Sequence, residues 1–152
     1  SRRSAQHGTV PLPQGRHQAR MEHSQNKSSM LKLLCIFIGG GLGSVFRYSI
    51  GTYLVKATSQ HYPWSTFLAN TIGCLLIGLL MGYFQRTQSH WLYMLLVTGF
   101  CGGFTTFSTF SNESIQLLRQ GLYTIALTYI ALSLITGFMA VAAGIYAVKQ
   151  LT

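Results

Sequence analysis

Acids are what this chain of 152 residues most lacks: it has two, Glu22 and Glu113. Chemistry that needs paired carboxylates in one site, such as retaining glycoside hydrolysis, is thereby all but excluded. Charged residues of every kind make up 9% of the sequence, against roughly 25% in an ordinary soluble domain. A soluble surface of usual composition is hard to build from such a chain. Metal ligands are also sparse. Cys35, Cys74 and Cys101 stand alone in apolar runs with no CxxC pair, and beyond residue 30 the histidines are His61 and His90, both between apolar runs. No zinc or haem site follows from that spacing. No Ser–His–Asp set assembles within the apolar runs, and no phosphate loop is present.

The basic residues fall into two groups. Residues 1–30 hold Arg2, Arg3, Arg16, Arg20 and Lys27 with one acid, three of the five histidines and no apolar run. This is the composition of a disordered leader, upstream or appended, with Met21 and Met30 both plausible starts. It lacks the apolar core of a signal peptide, and no aromatic interleaves its arginines as in a nucleic-acid arm. Residues 31–152 form the expected folded domain. Their basic groups are Lys32, Arg47, Lys56, Arg86, Arg119 and Lys149, balanced by Glu113 alone. Between Lys56 and Arg86 lie 29 residues without a charge, between Arg86 and Glu113 lie 26, and between Arg119 and Lys149 lie 29. A bilayer-crossing helix needs about 20 mostly apolar residues, whereas a membrane β-strand needs about 10. The pattern predicts an all-α membrane protein with four spans near 31–56, 64–85, 91–117 and 122–148. Trp64 and Trp91 open two of them as interfacial anchors, and Gly121 stops the third. Short connections imply neighbouring helices of alternating direction.

One side of the membrane collects Lys32, Arg86 and Lys149, the other Lys56 and Arg119. Three against two is almost no orienting bias and permits insertion both ways; the leader, if retained, favours a cytoplasmic N-terminus. Gly39/Gly43, Gly78/Gly82 and Gly99/Gly103 have the small-xxx-small spacing of close helix packing in lipid. They point to a tight bundle that continues into an oligomer.

Polar residues concentrate where a membrane makes them costly. In VTGFCGGFTTFSTFSNES (97–114) the pair Gly102–Gly103 is expected to break the third helix. Thr105, Thr106, Ser108, Thr109, Ser111 and Asn112 follow it. Irregular backbone at membrane depth must be buried in protein or line a watery cavity, where unwound carbonyls can bind a cation; hydroxyls bonded to their own backbone in a kinked helix are the plainer reading. Phe107 and Phe110 share a helix face, as core residues or as ring edges whose positive rims would favour an anion. Asn70 in the second span is interhelical glue or an anion donor. Tyr129, Ser133 and Thr136 place hydroxyls at about one per turn on the fourth span. Arg47 and Glu113 are expected near the membrane's polar edges, where Arg47 either attracts anions at a vestibule or reaches for the interface. With no acid in spans one, two and four, a proton pump with a mid-membrane carboxylate is disfavoured.

GGGLGSVFRY (39–48), TFLANTIGCLLIG (66–78), TGFCGGFTTFSTFS (98–111) and SLITG (133–137) resemble, in order and separation, the signatures of the Fluc/CrcB fluoride channels. The third motif is long and specific, and the resemblance covers residues 31–152. It implies an antiparallel, dual-topology homodimer of four-span subunits with a broken third helix in the cell inner (plasma) membrane. Each dimer of the family has two pores for passive fluoride export, giving fluoride resistance. It further implies pore roles for Asn70, Phe107, Phe110, Ser108, Thr109, Tyr129, Ser133 and Glu113, and a vestibule role for Arg47. The backbone carbonyls of Gly102 and Thr105 would hold a structural Na+ at the dimer axis. The chain departs from the family pattern at Gly137, where the last hydroxyl of the polar track is expected and Thr136 would substitute, and at Ala69, where a β-branched residue is commoner. The rival readings are a small dual-topology multidrug exporter and a non-transporting membrane scaffold. The exporter requires a first-span carboxylate, and residues 31–56 have none.

Overall fold

The computed structural model describes residues 14–57 and 62–151, with side chains over 20–53 and 62–151. The first thirteen leader residues and the connection carrying His61 lie outside the described residues. The described residues are helical throughout, apart from short connections. The elements are α1 (Gln14–Ala57), α2 (Trp64–Phe84), α3 (His90–Tyr93), a π-helical segment π1 (Met94–Cys101), α4 (Gly102–Phe104), α5 (Phe107–Arg119) and α6 (Tyr123–Gln150). Four stretches are long and apolar enough to cross a membrane: Arg20–Tyr53, Trp64–Phe84, His90–Arg119 and Tyr123–Gln150. The protein is a multi-pass membrane protein.

The described residues divide between two units, one ending with Met30 and one beginning with Leu31 in the sequence. In the first, residues 14–30 are helical, where composition led us to expect no structure. Every side chain from Arg20 to Met30 is exposed. This stretch is therefore held by backbone hydrogen bonds rather than by a buried face, and no Pro or Gly interrupts it between Gly15 and Met30.

In the second unit α1 buries Cys35, Gly39 and Gly43, one residue every fourth position. A Cβ on Gly39 would strike the Leu95 carbonyl, one on Gly43 the Phe100 carbonyl, and one on Gly103 the Gly40 carbonyl. The Gly39/Gly43 and Gly99/Gly103 pairs thus face each other, backbone against backbone, as small residues do in lipid. An extensive interface joins α2 to α6. There a Cβ on Gly78 would meet the Val141 carbonyl, and one on Gly144 would lie 2.7 Å from the Leu75 oxygen. The small-residue spacings are therefore used within the subunit. At the corner between α5 and α6, Gly121 adopts φ 75°. Its N–H donates to Leu118 O at 3.1 Å while Leu122 N–H donates to Leu117 O at 3.0 Å. This is the paired closure of a helix C-terminus that favours glycine at the left-handed position.

The third span is broken, but not at its glycines. Gly102 and Gly103 are helical; the extended residues are Thr105 (φ −86°, ψ 157°) and Thr106 (φ −150°, ψ 113°). Gly103 serves close approach to α1, whereas the break is fixed by bonds that replace helical ones. Thr106 Oγ1 accepts from Thr109 N–H at 3.2 Å, capping α5, the role for which threonine is favoured at a helix start.

Candidate functional site

The break depends on Asn70, 36 residues away. Its Oδ1 accepts from Thr106 N–H at 2.7 Å and its Nδ2 donates to Thr106 O at 3.2 Å. The amide pairs with the extended residue much as a neighbouring strand would, which satisfies backbone that lipid cannot. An amide carries two N–H donors, and Thr106 engages one. Because Thr106 N–H turns to Asn70 and Thr109 N–H turns to Thr106 Oγ1, the carbonyls of Gly102 and Thr105 lose the donors that a continuous helix would give them. The Gly103 carbonyl is taken by Arg47 Nε at 3.2 Å and by Ser44 Oγ at 3.4 Å. Arg47 therefore places a cation on the negative end of α4, which is more specific than either role expected for it.

Beside the break lies a cavity of about 510 Å³ reached by Asn70, Gly102, Thr105, Thr106, Phe107, Phe110, Ser133 and Gly137. No Lys, Arg, Asp or Glu lines it. Phe107 is 78% exposed, and its ring centroid lies 5.9 Å from that of Phe110. Ser133 Oγ is buried without a hydrogen-bond partner among the described residues. The structure thus brings Asn70, both phenylalanines, Ser133 and the Gly102/Thr105 backbone to one place.

A second cavity of about 510 Å³ lies against Ser44, Arg47, Thr66, Thr106, Thr109 and Glu113. Thr106 borders both cavities. Its hydroxyl donates to Thr109 Oγ1 at 2.9 Å and lies 3.3 Å from Ser108 Oγ. The predicted Ser108 and Thr109 therefore join a hydroxyl cluster at the break. By contrast, Ser111 and Ser114 bond back to the carbonyls of Phe107 and Phe110, the plainer behaviour of hydroxyls in a helix. Both Glu113 oxygens are engaged: Thr66 Oγ1 donates to Oε1 and Tyr129 Oη to Oε2, each at 2.8 Å. Tyr129 is fully buried and packs on Phe110 at 5.2 Å.

Thr136 does not join this group. Its hydroxyl donates to Leu132 O at 2.7 Å and lies 3.4 Å from Thr71 Oγ1, while Gly137 reaches the first cavity instead. Sequence reading placed Thr106 only within the polar run after the glycine pair and gave Thr66 no role. Thr66 lies one helical turn before Asn70 on the same face of α2, and Thr106 immediately precedes the start of α5, so spacing alone could have marked both.

Comparison with known proteins adds three findings. The profile of a family described as "CrcB-like protein, Camphor Resistance (CrcB)" matches residues 34–145. A protein of Phocaeicola vulgatus named fluoride-specific ion channel FluC is 46% identical over 118 residues, covering 77% of this chain and 98% of that protein. Proteins of the same name from Flavobacterium psychrophilum and Bacteroides fragilis are 46% and 44% identical over 124 and 125 residues, covering 80% of this chain and 100% and 98% of theirs.

Proposed function

The chain belongs to the CrcB family, and from that premise we propose that it is a fluoride-selective channel, passing fluoride passively out of the cytoplasm across the plasma membrane. The relatives named as fluoride-specific channels support this reading along nearly their whole length. The observation that carries it is the cavity where Asn70, Phe107, Phe110 and Ser133 meet without an ionised group.

Fluoride is small and strongly hydrated, so it leaves water only where donors replace its shell closely, as in any selective pore. The remaining Nδ2 hydrogen of Asn70, the Ser133 hydroxyl and the positive rims of the phenylalanine rings supply positive ends without a fixed charge that would hold the ion. From there Thr109, Ser108 and the Tyr129–Glu113–Thr66 group continue the polar line past the break, and the Arg47 charge, which shares a cavity with Thr66 and Glu113, draws anions to that end of the line. A negative-inside voltage drives the exit, at about 2.3 kcal/mol per charge per 100 mV.

The working unit in this proposal is an antiparallel homodimer of dual topology. The near-balance of charge between the two faces of residues 31–152 supports it, as does Phe107, a large ring left exposed beside the cavity. Its partner copy would complete a Na+ site. The Gly102 and Thr105 carbonyls are hard, neutral oxygens turned loose by the break, and two per subunit give four across a dimer axis, which suits a hard monovalent cation. When bound, that ion would offset the mutual repulsion of the carbonyls.

Efflux from liposomes holding the purified protein tests the function. Fluoride efflux with no chloride efflux and no proton coupling is the expected result. Exchange of aromatic cations would establish an exporter instead, and no flux at all would leave a scaffold.

A further inference from the structure

Two side-chain hydroxyls among the described residues are buried and unpartnered: Ser133 Oγ and Tyr62 Oη. Ser133 belongs to the cavity already described. Tyr62 precedes α2 on the connection from α1, outside every membrane-crossing stretch, and none of the roles assigned above includes it. Its surroundings nevertheless tie it to the same line. The Tyr62 ring stands edge-on to Tyr129, with centroids 5.5 Å apart at 81°. Tyr129 packs on Phe110 at 5.2 Å, and Phe110 on Phe107 at 5.9 Å. Four rings thus step without a gap from the cavity at the helix break to the end of the bundle where α5 turns into α6. Trp64 and Phe67 also pack on the Tyr62 ring, at 4.5 and 6.1 Å.

A buried donor without a partner costs about 1–3 kcal/mol. A phenylalanine would keep every ring contact and avoid that cost, so packing alone does not account for the hydroxyl. A phenol keeps its proton at neutral pH, and burial pushes the Tyr62 value further up, so the hydroxyl has a hydrogen to donate. The next hydroxyl along the ladder, that of Tyr129, is occupied by Glu113. The Tyr62 hydroxyl, on the ring next to Tyr129, is a donor with no acceptor among the described residues.

We propose that the Tyr62 hydroxyl is an outer donor of the fluoride path, binding the ion as it passes between Tyr129 and the membrane face at the α5–α6 corner. The inference rests on the channel reading above. It extends that reading from the interior of the bundle to its rim.

Tyr62→Phe removes the hydroxyl and leaves the ring. Fluoride efflux from liposomes, measured over a range of fluoride concentrations beside the wild type, should slow at least three-fold at low fluoride, with the half-saturating concentration raised. The thermal unfolding temperature should hold or rise, because the unpaired donor is gone. A Tyr62→Phe protein that conducts like wild type at every concentration would overturn the inference and leave the channel reading intact. A slower variant with a lowered unfolding temperature would also overturn it, making Tyr62 a packing residue. Absence of fluoride flux in the wild type would overturn both readings together.

Discussion

At the scale of single residues, side chains that sequence reading assigned to the ion also hold the backbone that shapes its path. Asn70 is the clearest case, because the amide facing the cavity also satisfies both backbone groups of Thr106. Asn70→Ala should abolish fluoride flux and also lower stability by about 1–3 kcal/mol, the cost of buried backbone groups left unpaired. Both effects can be read from efflux and thermal unfolding of the same preparation. Glu113 differs, since its two acceptor bonds come from hydroxyls on α2 and α6. Thr66→Val deletes one of them at nearly constant shape. It should cost about 1–2 kcal/mol in unfolding measurements, with the helical content unchanged by circular dichroism. Composition marked Asn70, Phe107, Phe110 and Ser133 as polar or paired aromatic residues in charge-free windows, with packing and pore readings both open; that they border one cavity is read from the structure. Thr66 was not picked out, because one hydroxyl near the start of a span looks like any other until its carboxylate partner is located 47 residues away.

Helices were legible where apolar length alone decides the matter, and the four spans are such cases. The position of the break was not. Glycine propensity points to Gly102–Gly103, but the glycine that matters there is a contact surface for α1. The chain opens two residues later because Asn70 and the Thr106 hydroxyl replace helical bonds, and one of those replacements is remote in sequence. The π1 segment and the helical turns before Met30 escaped for a related reason, since neither carries an apolar periodicity of its own. The glycines permit a sharp test within one helix. Gly39→Ala would drive a methyl into backbone and should destabilise by about 1–3 kcal/mol. Gly41→Ala, two residues on, meets nothing within 4 Å and should be neutral or stabilising by up to about 1 kcal/mol from helix propensity. Thermal unfolding of the two variants side by side reads the difference. Equal losses would mean that α1 does not pack on π1 and α4 through Gly39 and Gly43.

Across the whole molecule, one subunit supplies a cavity open on one side, rimmed by an exposed Phe107, and two carbonyls deprived of their helical donors. A second copy in the opposite sense would close the one and complete the other. On the proposed dimer with its Na+ site, replacing Na+ by N-methylglucamine throughout purification should shift dimer toward monomer in detergent, as measured by light scattering, or silence the flux. The proposed path carries dehydrated fluoride along neutral dipoles and phenyl rims. The most direct measurement is fluoride-electrode efflux from liposomes carrying the wild type, Phe107→Ile or Asn70→Ala at equal protein density. Rapid efflux by the wild type and a loss of at least ten-fold in each variant is the predicted result. Wild-type rates in both variants would contradict it.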